Sequence, residues 1–314
     1  MTGTYEATVV VALVPGGDCI GAIVAALRRQ DERRFELVIV DIRGAGPDEG
    51  RRLAAAAAGA GVDARHVPLA SARRAAANNV GIRLARTELV ILLAHDFVPT
   101  PSFLSAHLAL HRREPDRRVV GIGPGVFRPS LRADPFRRWI EDSGELFGAS
   151  FTGQHPFPRG FFYCANVSAK RRFLCEAGLF DEDFPHDAWD DCELGLRLVR
   201  KGMRSVLVPD AVAWHDHPVT LEERVRSMTK VGEAAAIFER KHEGPHPWQQ
   251  PAPDGGGRSG HDHWRRLRSL LTPGRRPRPE DWRERIDAAF RSAYEVVRER
   301  DRPIAQDPSE GAPE

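Results

Sequence analysis

An α/β fold built on a mostly parallel, doubly wound sheet is the class this sequence predicts, and three observations carry it. Continuous apolar runs occur at TVVVALV (8–14), FELVIVD (35–41) and TELVILLA (87–94). Segments of helical length, rich in Ala and Arg, separate them. The runs end in turn residues or acids. Unbroken apolar strands imply burial on both faces, which marks a parallel sheet rather than a meander with one wet face.

The elements follow in order. The first strand ends at Pro15-Gly16-Gly17, and Asp18 is placed to cap the helix CIGAIVAALRRQ (19–30). The second strand, 35–41, ends in Asp41, and an Ala-rich helix covers 49–60. VDARHVPL (62–69) reads as a short third strand and SARRAAANNVGIRLA (71–85) as a third helix. The fourth strand, 87–94, runs into His95-Asp96. Thr100 and Pro101, as N-cap and first helical residue, would open a helix through His111. In such sheets ligands bind beyond the carboxyl ends of the strands, so Asp41, His95 and Asp96 are candidates by position alone.

After RVVGIGPGVF (118–127) the alternation stops, and residues 135–165 mix helix, aromatics and glycines as loops over a site often do. Residues 171–179 and 191–202 read as helices, MRSVLVPDAVAWH (203–215) as a strand pair, and LEERVRSMTKVGEAAAIFERKH (221–242) as a long basic helix. The expected organisation is one domain over 1–245, divided near residue 130, then a flexible linker at 246–262. An Arg-rich helical extension would cover 263–302 and a disordered tail 303–314.

Composition narrows the function classes. A net charge of +2 over 314 residues argues against nucleic acid as a partner. Four cysteines without a CxxC pair read as reduced thiols. Tyr5 and Glu6 before the first apolar run do not read as a secretory leader, and no stretch approaches 18 apolar residues. The expected location is cytoplasmic, and the Arg-rich segment offers a weak peripheral contact with the inner face of the membrane.

The stretch DFPHDAWDDCELGLRLV (183–199) sets the main question. Asp190 can be an N-cap, with Glu193 three residues on completing a capping box. That account gives Asp191 no required task, although a helix dipole favours any acid in its first turn.

With these pieces in order, the chain resembles the bacterial family-2 glycosyltransferases of the GT-A fold over residues 8 to about 243. TVVVALVPGGDCIGAIVAALRRQ is similar to the family's opening strand–loop–helix, and FELVIVD to the strand whose closing acid lies near the nucleotide base. AANNVGIRLARTELVILLAHDFVPTPSFL matches the segment carrying the metal-binding DxD motif. CANVSAKRRFLCEAGLFDEDFPHDAWDDCELGLRLVRKG matches the acceptor-side segment, where an acid pair after Trp includes the catalytic base. VLVPDAVAWHDHP matches the late strand whose His can complete the metal site. Three positions depart from the pattern: Ala12-Leu13 where Pro-Thr is common, Ile42 for a second acid, and Ala94-His95-Asp96 for DxD.

The resemblance implies a nucleotide-sugar half (1–130), an acceptor half (131–245) and inverting transfer of a sugar from a nucleotide-diphospho-sugar to an acceptor hydroxyl. The acceptor is open between glycan, lipid, peptide and small natural product. A divalent cation, Mn²⁺ or Mg²⁺, would support the departing diphosphate on Asp96 and His215, with His217 competing for the second place. Asp191 would deprotonate the acceptor, with Asp190 as fallback. Trp189 would offer an apolar face to a sugar or acceptor, an ordinary core Trp being the alternative. Asp41, Asn79, His95 and Asp96 would contact the donor, and Arg74 could reach the nucleotide unless it lies on a solvated helix face. Lys170, Arg171 and Arg172, or Arg226 and Lys230, could neutralise phosphate.

Two rivals stand beside this reading. Ala94, Ile42 and Ala12-Leu13 motivate a non-catalytic binding or scaffold protein on the same fold. A nucleotidyltransferase would want a basic, Gly-rich loop after the first strand, and PGGD has the glycines but no Lys or Arg.

Overall fold

A computed structural model of the chain describes residues 5–15, 19–44, 47–59, 61–70, 72–143, 146, 162–242 and 279–300. Strands β1 (Ala7–Leu13) and β2 (Phe35–Asp41) are buried at all seven positions each, including Thr8 and Glu36, whose side chains hydrogen-bond to each other. Successive side chains of a strand point to opposite faces. Val9, Val11 and Leu13 accordingly enter one core layer, with Leu37, Ile39, Leu89 and Ile91. Val10 and Ala12 enter the other, with Val38, Val40, Val90 and Leu92. Helices α1 (Ile20–Leu27), α2 (Pro47–Gly59) and α3 (Arg74–Leu84) connect β1, β2, β3 (Ala64–Pro68) and β4 (Leu89–Leu93).

Then follow β5 (Phe97–Pro99), α4 (Phe103–Arg113), β6 (Val119–Ile122), β7 (Gly125–Phe127), α5 (Pro129–Arg132) and α6 (Pro135–Asp142). The next stretch holds β8 (Asn166–Lys170), α7 (Arg171–Glu176), α8 (Asp190–Arg200), β9 (Arg204–Leu207), β10 (Ala213–His215) and α9 (Leu221–Lys241). The final described helix is α10 (Pro279–Arg300). Among the described residues, seven strands form one sheet in the order β3-β2-β1-β4-β8-β6-β9, and β5-β10-β7 form a small second sheet. All neighbours in the large sheet are parallel except at β8, which is antiparallel to β4 and β6. Strand order reverses between β1 and β4, the switch point where this class of sheet opens a crevice.

The structure adds detail to two of these segments and corrects the expected cap of α4. The apolar run 118–127 is two strands in different sheets, parted at Gly123-Pro124. The expected strand pair in 203–215 is likewise divided: β9 pairs with β6, and β10 with β5 and β7. Thr100 does not cap α4, because its amide and hydroxyl both donate to the Val212 carbonyl, and the helix starts at Phe103. A genuine capping box does occur at Thr220 and Glu223, opening α9.

Helix α10 packs along α9, with Trp282, Ile286, Ala293 and Val297 buried. The helices meet where Gly232 has no side chain: a Cβ there would stand 2.3 Å from the Phe290 carbonyl oxygen. Trp282 joins Phe136 and Trp139 of α6 in an aromatic cluster with ring centroids 5.4 and 5.6 Å away. The linker expected at 246–262, residues 263–278 of the extension, the tail at 303–314 and the Asp18 cap lie outside the described residues. No helix among the described residues is long and apolar enough to cross a membrane.

Candidate functional site

The small sheet is what assembles the site. Its register sets His215 of β10 opposite Phe97 of β5, the residue after Asp96, and the Asp216 amide donates to the Asp96 carbonyl. The His215 Nε2 atom consequently lies 3.0 Å from Asp96 Oδ2. Phe97 and Phe127 flank the imidazole, with centroids 5.0 and 5.2 Å away, and hold its ring plane. The surrounding protein would raise the Asp96 carboxyl, but the His215 hydrogen bond and electrostatic pull, with His95 adding, hold it at about 2. His217 stands one step out, 6.0 Å from His215 ring to ring and facing Glu223.

Asp96, His215 and His217 line a cleft of about 510 Å³. Pro185, His186, Asp187 and Ala188 form a second wall, and Glu223, Arg224, Ser227 and Lys230 of α9 a third. The loop before α8 is fastened in place from two sides. His186 bonds Glu233, Lys241 pairs with Asp181 and Asp183, and Arg73 donates to the Glu182 and Phe184 carbonyls. Of the phosphate-neutralising candidates, Lys230 reaches the cleft while Arg226 is exposed and does not line it. Lys170 pairs in register with Leu89, the amino end of β4, so Lys170–Arg172 lie at the far edge of the sheet.

The acid stretch departs from the capping account. The residue preceding α8 is Trp189, held in the left-handed region at φ 65°, and it makes no side-chain cap. Asp190 is the first helical residue, 1% exposed, with Oδ1 2.5 Å from Arg74 Nη2. Arg74 is therefore not on a solvated face. Glu193 is also buried and pairs with Arg197 and His242, so neither acid is available to close a capping box. Burial pushes the Asp190 carboxyl up to about 6, with Arg74 opposing and Asp191 adding to the rise.

Asp191 is half-buried. Its Oδ2 lies 3.5 Å from the Cys164 thiol, and its Oδ1 accepts from the Cys192 amide. It is not among the residues lining the cleft, whereas Asp187 of the same loop is. Tyr163 links the two regions: burial pushes its phenol up, and Asp96, Cys164 and Asp191 all add to the rise. Burial likewise pushes the Cys164 and Cys192 thiols well up, away from the nucleophilic thiolate form.

Three further candidates have their polar groups or rings engaged by other parts of the protein. The Asp41 carboxylate is buried at the β2 end beneath Arg43 and His66, which hold it at about 2 against the effect of burial. The Arg43 guanidinium, paired with Asp41 Oδ2 at 2.7 Å, shares that edge. Asn79 is 1% exposed, and its amide is consumed by Phe180 and Glu182, tying α3 to the loop after α7. The Trp189 ring packs on Phe238 of α9, centroids 5.0 Å apart, and does not line the cleft. His95 is half-buried beside Asp96, and its carbonyl accepts from the Cys19 amide at the β1 end.

Sequence reasoning missed His186, Asp187, Arg224 and Ser227. The Thr220–Glu223 capping pattern was readable and locates the start of α9, but not the face it turns to the cleft.

No group of three or more His, Cys, Asp or Glu side chains able to hold a metal occurs among the described residues. Asp96 and His215 alone supply one oxygen and one nitrogen donor in contact. That set suits a divalent cation whose other positions are taken by ligand oxygens and water.

The comparisons with known proteins agree with this architecture. A family model described as glycosyltransferase like family 2 matches residues 6–233. The chain is 41% identical over 171 residues to a chondroitin synthase of Escherichia coli, and 25% identical over 173 residues to a hyaluronan synthase of Pasteurella multocida. Each match covers 46% of this chain and only 25% and 17% of the respective relative, so the chain spans a quarter or less of their length. Among solved structures, it is similar to the mannosyltransferase PcManGT of Pyrobaculum calidifontis in complex with GDP-Man and Mn²⁺. That match has a TM-score of 0.54 and 22% identity over 79% of this chain and 68% of the other. TarS 1-349 of S. aureus matches with a TM-score of 0.51 and 14% identity, over 95% and 93% of the two chains. These two likenesses bear on the fold.

Proposed function

The chain belongs to glycosyltransferase-like family 2 and has the GT-A fold, and from that premise we propose that it moves a sugar from a nucleotide-diphospho-sugar to an acceptor hydroxyl. One observation carries the proposal. Asp96 and His215, from strands far apart in sequence, meet at 3.0 Å on the wall of a cleft, just beyond the carboxyl end of β4. A divalent cation bound there, Mn²⁺ or Mg²⁺, would supply positive charge to the diphosphate as it leaves. Solved neighbours that hold GDP-Man or UDP together with Mn²⁺ support the choice of ligand class.

The remaining work belongs to side chains of this protein. His95 and Arg43, the latter fixed by Asp41, stand at the strand ends where the nucleotide would lie. Arg224 and Lys230 present cationic groups from α9 across the cleft from Asp96. Asp191 is the general base: it takes the acceptor proton as the hydroxyl oxygen bonds to the anomeric carbon and the bond to the diphosphate oxygen breaks. Attack opposite the leaving group inverts the anomeric centre. Asp190 cannot share this role, since one oxygen is held by Arg74 and the other is buried.

A panel of UDP-, GDP- and dTDP-sugars, read by thermal shift with and without Mn²⁺, tests the donor side. We expect one nucleotide to raise the melting temperature only with metal, and Asp96→Ala to remove the shift. No shift with any donor would overturn the proposal. With the selected donor, Asp191→Asn should lower turnover by about 10²–10⁴-fold with a smaller change in KM. Because Asp187 lines the cleft, Asp187→Asn is the paired control, and a reversed pattern would transfer the base assignment to Asp187. Ala94, at the place of the first DxD acid, favours a second reading, a binding protein on the same fold. Metal-dependent donor binding without hydrolysis or transfer would establish that reading.

A further inference from the structure

The Arg74–Asp190 ion pair is buried at the start of α8, and sugar transfer as described gives it no task. Asp190 is 1% exposed. Its Oδ2 and the Arg74 Nε are both buried without a hydrogen-bond partner among the described residues. A buried pair repays its desolvation only when its remaining donors and acceptors are also satisfied, so stability does not explain keeping this one. Its surroundings point elsewhere. Arg74 begins α3 and lies in the field of three carboxylates, Asp187, Asp190 and Asp191, and of the Cys164 thiol. Cys192 of α8 and Tyr163, ahead of β8, also lie within reach of its charge. The adjacent Arg73 is turned away, onto the Glu182 and Phe184 carbonyls.

Asp191 itself is weakly held. Among the described residues its carboxylate receives the Cys164 thiol at 3.5 Å, the Cys192 thiol and the Cys192 amide, the two thiols being weak donors. Its position therefore depends on the helix start, where a Trp in the left-handed region precedes a clamped Asp190. We propose that Arg74 is a positioning residue for the transfer: by clamping the first residue of α8 and balancing its carboxylate, it sets the orientation of Asp191 and the field in which Asp191 accepts a proton. This rests on the reading of Asp191 as the general base. The structure supports it further, because burial pushes the Asp190 carboxyl up and Arg74 is the opposing charge. Without that guanidinium, the proton Asp190 would acquire lies next to the base.

Three variants of the full chain test the proposal, with hydrolysis of the nucleotide sugar selected by the UDP-, GDP- and dTDP-sugar panel as the readout. Arg74→Met should lower kcat about tenfold or more, leave donor KM within about twofold, and move the acid limb of the kcat profile to higher pH by about one unit. Arg74→Lys, which restores the charge, should return the limb toward its parent position. Asp190→Asn removes the buried acid and leaves Arg74 uncompensated, so its limb should move to lower pH; it also serves if Arg74→Met does not fold. Profiles that overlay the parent's, with activity lost only in proportion to folded protein, would show a structural pair and overturn the proposal. Asp191→Asn separates the two ideas. If it is inactive while the profiles stay fixed, only the Arg74 proposal fails; if it keeps activity, the base assignment fails and the proposal with it.

Discussion

His107 and His111 sit one turn apart on α4, buried against β8. The Nε2 of His107 faces Asn166 Oδ1 at 3.0 Å. The Asn166 amide nitrogen is already donating to the Pro124 and Ala211 carbonyls, so its oxygen is the acceptor and His107 Nε2 carries the proton. His111 Nε2 likewise donates to Ser168 Oγ at 2.9 Å, since that hydroxyl donates to the Gly121 carbonyl. Both Nδ1 atoms are buried without a partner among the described residues. A second proton would therefore create a buried N–H with nothing to receive it. Burial accordingly lowers His107 to about 4 and His111 to about 3.

The folded values lie below the unfolded value of about 6.5, so the unfolded chain binds more protons between them. Stability from these two groups is complete above pH 6.5 and is lost as the pH falls. At pH 5 each histidine costs about 2 kcal/mol, a figure set by the unfolded value once the folded one is 4 or below. Together the two should remove about 4 kcal/mol between pH 7 and pH 5, a window above the range where Asp41 and Asp96, held at about 2, begin to matter. Urea unfolding at the two pH values, for the parent and for His107→Gln/His111→Gln, isolates the effect, because every other histidine is common to both proteins. The double variant should lose about 4 kcal/mol less than the parent over this interval. An equal loss in both would refute the reasoning.

Two further outcomes follow from packing. Gly232→Val should force α10 off α9, because its Cβ would meet the Phe290 carbonyl at 2.3 Å, and we expect about 1–3 kcal/mol of destabilisation in thermal or urea unfolding. An unchanged unfolding curve would mean that the helices do not make this contact. Asn79→Ala should cost roughly 2–4 kcal/mol by leaving the Phe180 amide and carbonyl unpaired, with donor KM unchanged for the folded variant. A raised donor KM without loss of stability would return Asn79 to the donor site.

Much of the fold was legible because the signals that encode it are short-range. β1, β2 and β4 announce themselves as mainly apolar runs, and their alternate residues divide between two core layers as a pleated strand requires. Asp41, His95 and Asp96 stand out for the same reason: each follows or closes such a run. A resemblance spread over five motifs then singled out His215 and the acid pair after Trp189, and the fold and family membership followed it.

What the linear reading could not supply were partners. Asp190 and Glu193 have the spacing of a capping box, but Arg74, 116 residues away, takes the first and His242, 49 residues away, shares the second. Asn79 has the look of a polar helix face until Phe180 and Glu182 close over it. Asp41 is a strand-end acid whose lone pairs are already taken by Arg43 and His66. The sequence by itself determined which segments are buried strands and helices, because side-chain periodicity and turn chemistry act over a few residues. Only the tertiary structure decided which charged groups meet, because register and helix placement bring Asp96 to His215 and Arg74 to Asp190. A buried charge takes its role from the atoms around it, not from its neighbours in the chain.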